Sequence, residues 1–353
     1  MDQELRAVLT AHARRYPMMT PQDAVKLIYQ NEFGGGHMIA DPAQSLERLR
    51  VEWAAVARDP SASLAEDIGN GMARVMLAGL DGAEYPLEAL NRDFVRSAAL
   101  HQGKMDVFLE KLDLLRQMAG ERVFGFSAGE LEDYLGEYIA SGCPAVSHSA
   151  VYRAACRPAY RVVCRSACLP LLVEEARALR EKQGRVIVAL DGRCASGKTT
   201  LAAELEQRYG WSVVHMDHFF LRPEQRSPER YAQPGGNIDH ERFLEEVLIP
   251  LRAEERPVYR PFDCHTQILL APVPFDPGPV VLVEGSYSCH PALWAYYDLH
   301  AFLTVGPTVQ MERIIAREGE GYARVFREKW IPLEEEYFSA CQVERRCEYR
   351  LEV

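Results

Sequence analysis

No apolar run in this sequence approaches the roughly 20 residues that crossing a bilayer requires, and the opening MDQELRAVLTAHARR lacks the apolar core of a signal peptide. The 9 cysteines are scattered, odd in number and never arranged as C-x-x-C, which argues against a zinc site or a disulfide framework and for reduced, mostly buried thiols. Positive charge is in deficit. The net charge of −11 argues against a nucleic-acid partner, because a phosphate backbone demands a basic surface. Alternating strand patterns are nearly absent before residue 168, and no internal repeat or low-complexity tract occurs. We therefore expect a cytoplasmic protein with a small-molecule partner and neither membrane nor nucleic-acid partners. A homo-oligomer is compatible with the sequence, which does not fix the oligomeric state.

What is present is the composition of a soluble globular chain, 48% apolar and 26% charged. A length of 353 residues exceeds one ordinary core and predicts two domains. Residues 1–168 read as a mainly α-helical domain of unassigned role. PQDAVKLIYQNEF, PAQSLERLRVEWAAVA, KMDVFLEKLDLLRQM and AGELEDYLGEYIA carry apolar residues at helical spacing, with breaks at Gly34 to Gly36, Asp81-Gly82, Gly120 and Gly142. Residues 169–183 read as a linking helix. From 184 to 353 the texture changes: RVIVALDG, SVVHMD, VVLVEG and DLHAFLTV are short apolar strands, and helices begin near Lys198, His240, Thr308 and Pro332. Strands alternating with helices predict an α/β fold, a parallel sheet flanked by helices.

Between the first of those strands and its helix lies Gly192-Arg193-Cys194-Ala195-Ser196-Gly197-Lys198-Thr199, a complete G-x-x-x-x-G-K-[ST] phosphate loop in its required strand–loop–helix setting. Gly192 and Gly197 let the backbone curl so that amides point at phosphates, and the helix beginning at Lys198 adds its positive dipole end. Lys198 reaches the β- and γ-phosphates, and the Thr199 hydroxyl ligates Mg²⁺. The expected ATP contacts are Gly192, Ala195, Ser196, Gly197, Lys198, Thr199 and Thr200, with ATP and Mg²⁺ as cofactors. Asp217 ends the strand SVVHMD at the carboxyl edge of the sheet, where a carboxylate accepts the proton of an attacking hydroxyl or holds Mg²⁺ through water. Glu284 ends VVLVEG and is the expected second acid near the metal.

These residues, with Asp217-His218-Phe219-Phe220, Gly236-Asn237-Ile238-Asp239-His240 and Tyr259-Arg260-Pro261-Phe262-Asp263-Cys264-His265 in order, make the stretch from about residue 184 onward resemble the uridine kinase family of P-loop kinases. The resemblance covers roughly half the chain. It implies phosphorylation of a hydroxyl on a nucleoside or other small metabolite, with Asp217 as catalytic base and Asp239 as the ligand of sugar hydroxyls. It also implies Tyr259 and His265 against a nucleobase, and Arg313 and Arg317 as lid arginines that grip phosphate charge. Their i, i+4 spacing on TVQMERIIARE independently places both guanidinium groups on one helix face, with pairing to Glu312 and Glu318 as the alternative. Arg260, inside the acceptor segment, either salt-bridges Asp263 or binds an anionic substrate.

In the N-terminal half, Asn31 to His37 and Ser147 to Arg161 are richer in polar residues than a scaffold needs. A pocket of His37, His148, Tyr152 and Arg161 is one reading, and an interhelical loop plus a helix cap is the other. Glu334-Glu335-Glu336 reads as a helix start whose charge complements the dipole. Two rivals to a small-molecule kinase are a nucleotide-gated regulatory protein, whose helical half recognises a ligand, and a bifunctional enzyme.

Overall fold

Apolar segments long enough to be covered on both faces form the strands of the second half, and amphipathic segments form the helices of the first. A computed structural model describes residues 2–59, 62–80 and 85–352; the Asp81-Gly82 break lies outside them. The chain divides into two compact units, Met1–Leu171 and Leu172–Val353. Among the described residues no helix is long and apolar enough to cross a membrane.

The first unit contains α1 (Asp2–Arg15), α2 (Pro21–Phe33), α3 (Pro42–Ala55), β1 (Ala65–Gly69), β2 (Met72–Met76), α4 (Leu87–Leu100), α5 (Met105–Gly120), α6 (Ala128–Ala140), α7 (Ala150–Cys156) and β3 (Tyr160–Cys164). Caps set the helix starts. Asp41 accepts from the Gln44 amide at 2.9 Å, and Ser127 and Glu130 close a reciprocal capping box. Fully buried Leu27, Ile28, Phe108, Leu112 and Leu115 anchor the core.

The antiparallel sheet β1-β2-β3 corrects the near-absence of strands expected here. Its strands are five residues long and carry Glu66, Asp67 and Arg74, so they lack the alternation that marks a half-buried strand. A local signal existed in Asn70-Gly71. Both adopt left-handed φ (56° and 69°) in a two-residue hairpin loop between Gly69 and Met72, the combination that a type I′ turn requires.

The helix α8 (Leu169–Gln183) is followed by β4 (Val186–Gly192), α9 (Lys198–Tyr209), β5 (Ser212–His215), β6 (Val280–Glu284), β7 (Leu299–Thr304), α10 (Pro307–Glu318), α11 (Ile331–Ala340) and β8 (Tyr349–Glu352). Five strands form one wholly parallel sheet in the order β8-β7-β4-β6-β5. Every residue of β4 and β6 is buried, as expected of strands covered on both faces. Parallel register aligns Glu284 with His215 and with Leu190, so the ends of β4, β5 and β6 emerge at one carboxyl edge.

At the end of β4 the chain passes so close to β7 that a Cβ on Gly192 would lie 2.0 Å from the Leu303 carbonyl oxygen, with φ already at +142°. Backbone cannot yield as a side-chain tip can. Gly192→Ala should therefore lower stability by more than about 4 kcal/mol. Gly210→Ala, equally left-handed (φ +66°) but with open space around its Cβ, should cost only about 1–2 kcal/mol. Denaturant unfolding of the two variants measures the contrast.

Candidate functional site

The phosphate loop owes its shape to side chains outside the motif. Asp191, with no exposed surface, accepts from the Gly192 amide (2.7 Å), the Tyr287 amide (3.0 Å), the Cys289 amide (2.8 Å) and the Tyr337 hydroxyl (2.8 Å). Burial nevertheless raises its pKa to about 6. Glu334, also buried, accepts from the Cys194 amide at 2.9 Å and from the Ser286 hydroxyl at 2.7 Å. Arg193 is held by Glu335 through two bonds (2.6 and 3.1 Å) and by Thr304 Oγ1 at 2.6 Å. The acidic run of α11 is thus more than a complement to a dipole, because two of its three carboxylates brace the loop. Nothing local in the sequence signals this, since the partners lie about 140 positions away.

Ala195 (φ 56°) and Gly197 (φ 99°) place left-handed residues along the loop, a conformation that lets main-chain amides converge on an anion. The first-turn amides of α9 have no partner inside the helix. Lys198 Nζ donates to the carbonyls of Gly192 (2.7 Å) and Arg193 (2.9 Å), curled back over the loop. The Ser196 hydroxyl is buried with no hydrogen-bond partner inside the protein, which a phosphate oxygen would supply. Thr199 and Thr200 are exposed. The residues present fit a bound triphosphate.

They also fit a hard cation. Thr199 Oγ1 stands 3.4 Å from both carboxylate oxygens of buried Glu284, an all-oxygen pair suited to Mg²⁺ completed by phosphate and water. His215 Nδ1 lies 2.5 Å from Glu284 Oε1, and that hydrogen bond raises the histidine pKa. His215 belongs to the site without any motif having announced it.

Asp217 follows β5 on a short 3₁₀ turn, Met216–Phe219. Its side chain is open to solvent yet surrounded by protein, the situation of a group in a cleft. Its Oδ1 lies beside Gly285, 3.4 Å from where a Cβ would stand. Burial first, and then the charge of Glu284, raises its pKa, while Lys198 and His215 pull it down. The carboxylate therefore lies within electrostatic reach of the loop lysine.

The residues expected on the acceptor side divide. Asp239 is buried and caps its own helix, accepting from the Arg242 amide (3.2 Å) and from Gln225 Nε2 (2.9 Å), and its amide donates to the Phe219 carbonyl at 2.7 Å. Tyr259 is buried against Phe219 and His218, with ring centroids 5.3 and 6.0 Å away. Both sites are thereby sewn to the Asp217 segment. Arg260 donates instead to the Leu270 (2.8 Å) and Leu269 (3.1 Å) carbonyls of its own hairpin, and Asp263 accepts from the amide of exposed His265 at 2.8 Å rather than from Arg260. The two arginines of α10 also part. Arg313 reaches the Ala195 and Ser196 carbonyls of the loop, 3.3 Å each, whereas Arg317, one turn farther on, bonds its neighbour Glu318 at 2.8 Å.

In the first unit the four residues of the expected pocket do not converge. His148 stacks on Tyr152 with centroids 4.3 Å apart. Arg161 is buried but paired with Glu52 at 2.7 Å, and His37 meets Tyr29 edge-on at 5.3 Å. The glycines of Gly34-Gly35-Gly36 serve packing: Gly34 is left-handed at the end of α2, and a Cβ on Gly35 would come 2.5 Å from the Phe94 ring.

No family model matches the chain. Among solved structures it is similar to a possible uridine kinase from Bacillus stearothermophilus, with 19% identity over 51% of this chain and 99% of that one and a TM-score of 0.37. It is also similar to the D-glycerate 3-kinase of Cryptococcus neoformans, with 17% identity over 50% of this chain and 89% of that one and a TM-score of 0.38.

The Asp191 geometry has a pH signature. Its folded pKa of about 6 lies above the ordinary 3.8, so its protonation favours the fold as pH falls through that window, and above it the ionised form relies on its donors. Tyr337→Phe should cost about 1–3 kcal/mol at pH 8 and less at pH 5, read as the change in Tm at the two pH values.

Proposed function

We propose that the second unit is an ATP- and Mg²⁺-dependent phosphotransferase that phosphorylates a hydroxyl group of a small molecule, a nucleoside or another small metabolite. The observation that carries this reading is the pairing at one sheet edge of a phosphate loop with Asp217, a carboxylate in an open cleft within electrostatic reach of Lys198. A loop alone binds nucleotide; a carboxylate waiting beside it gives an alcohol somewhere to leave its proton.

In this reading Lys198 and the loop amides hold the triphosphate, and Thr199 with Glu284 would hold Mg²⁺, which neutralises phosphate charge when bound. His215 keeps Glu284 oriented through its 2.5 Å bond. The acceptor hydroxyl gives its proton to Asp217 as its oxygen attacks the γ-phosphorus, and the bond from that phosphorus to the bridging oxygen breaks to leave ADP. Tyr259, with Asp239 fixing the adjacent backbone, walls the acceptor side. Arg313, already against the loop, supplies positive charge to the phosphoryl group in flight. Most of the rate enhancement would come from positioning and charge neutralisation.

Asp217→Asn and Lys198→Ala should each reduce acceptor-dependent ADP release by about a hundredfold or more. A variant Asp217→Asn within a few-fold of the parent would remove the base from the mechanism, and ADP release unresponsive to a broad panel of nucleosides and small alcohols would favour a nucleotide switch. Because Asp217 is raised and acts ionised, kcat/KM should climb with pH along a limb centred above the ordinary Asp value of 3.8. A pH–rate profile tests this.

The split between the arginines gives a second comparison. Arg313→Ala should lower kcat by about a hundredfold, and Arg317→Ala by less than about fivefold, in steady-state assays. Equal losses would mean that Arg317 swings in from Glu318 during turnover.

A further inference from the structure

The first unit buries a polar network that a helical scaffold does not need. Asp23 accepts five donors: the Thr20 amide (3.1 Å) and hydroxyl (2.8 Å), the Ser149 amide (2.9 Å) and hydroxyl (2.7 Å), and His148 Nδ1 (3.0 Å). Burial alone would raise Asp23, but the donors from His148, Ser149 and Thr20 outweigh it and hold it well below the usual carboxylate range. An ionised Asp23 can only accept, so His148 carries its proton on Nδ1 and presents Nε2 as an acceptor. The Tyr160 hydroxyl, 2.6 Å from Nε2, donates into it. Burial keeps that histidine neutral, pushed down to about 4.

Behind Tyr160 lies Arg74, 1% exposed, its guanidinium 4.7 Å from the phenol ring. It bonds Gln30 Oε1 at 2.9 and 2.7 Å and Glu66 at 3.2 Å. Glu66 is shared further with His12 Nε2 (3.1 Å) and the Tyr16 hydroxyl (3.0 Å). Both acids of the cluster are therefore committed. Lys26 is not. It is 9% exposed, its ammonium donates to the Val146 carbonyl at 2.8 Å, and among the described residues no carboxylate pairs with it. Among the described residues two of its three N–H groups have no acceptor, beside a second buried cation. Burial first, and then Arg74, lowers its pKa to about 8, against the opposing pull of Asp23.

Buried ionic clusters are often no more stabilising than apolar packing, and an unpaired buried ammonium is a net cost. The cluster is not sealed, however. Tyr29, Tyr134 and Tyr160 are half-buried, and His37, which feels the charge of Lys26, is exposed. We propose that the first unit holds a second small-molecule site, in which Lys26 pairs with an anionic group of the ligand, a phosphate or a carboxylate, and the Asp23–His148–Tyr160 chain sets the hydrogen-bonding direction beside it. The site stands on the first unit's residues alone, independently of phosphotransfer in the second.

The charges that act on the Lys26 ammonium are those of Arg74, which lowers its pKa, and Asp23, which raises it, and Lys26 in turn adds to the burial that holds His37 and His148 down. An added anion should outweigh the present balance and raise the amine pKa by about one unit. The test is competitive amine labelling of the full chain across pH, resolved peptide by peptide by mass spectrometry, in chloride and then with inorganic phosphate or citrate at matched ionic strength. Labelling of Lys26 near pH 8 should slow roughly five- to tenfold with one of these anions. Lys198, read in the same digest, reports occupancy of the phosphate loop separately. A Lys26 profile that neither anion moves overturns the proposal. Tyr160→Phe, which keeps the ring under Arg74, should weaken the anion response several-fold; an undiminished response, with an unchanged Tm, removes the chain from the site.

Discussion

A carboxylate with no water around it must be surrounded by donors, and the second unit is organised around satisfying one. Asp191 ends up fully buried because it sits on β4, the middle strand of a five-stranded sheet covered on both faces. Its oxygens then draw in the amides of the phosphate loop and of the 285–289 turn, together with a hydroxyl from α11. Glu334 repeats the device on the Cys194 amide and the Ser286 hydroxyl. Anion-accepting backbone is thus held open by acidic side chains bonded to its outer edge. The amides they occupy, at Gly192 and Cys194, are the price of keeping the later ones in place.

How far the sequence reveals this depends on where the constraint originates. The phosphate loop is legible because its steric reasons are local: Gly192 has no room for a Cβ, and Gly197 occupies a left-handed conformation. The strands before and after it are legible as apolar runs, and the linking helix by its periodicity. The bracing carboxylates are invisible, since Glu334 in an acidic triplet looks like any helix start until tertiary contacts choose it. The same applies to Arg313 and Arg317. Spacing puts them on one face, but only distance along the helix axis decides which meets the loop. The sheet of the first unit escaped for another reason, because Glu66 and Arg74 break its pattern in order to join a buried network.

The two units use polarity in opposite ways. In the second, Asp191, Lys198 and Glu284 are buried at the carboxyl edge of an apolar sheet. In the first, charge penetrates between α2, the antiparallel sheet and the start of α7, and each acid is saturated by side chains from several elements. Such a network orders its surroundings only while every member is satisfied, which makes Lys26, with one acceptor among the described residues, conspicuous.

The bracing of the phosphate loop from α11 has an implication for engineering and for ancestry alike. The eight residues of the motif are not a portable module: moved into another parallel sheet, they would arrive without Asp191, Glu334 and Glu335, and nothing in the new host would hold the Cys194 amide or the Arg193 side chain. Inheritance of the loop should therefore travel together with a helix encoded some 140 residues downstream.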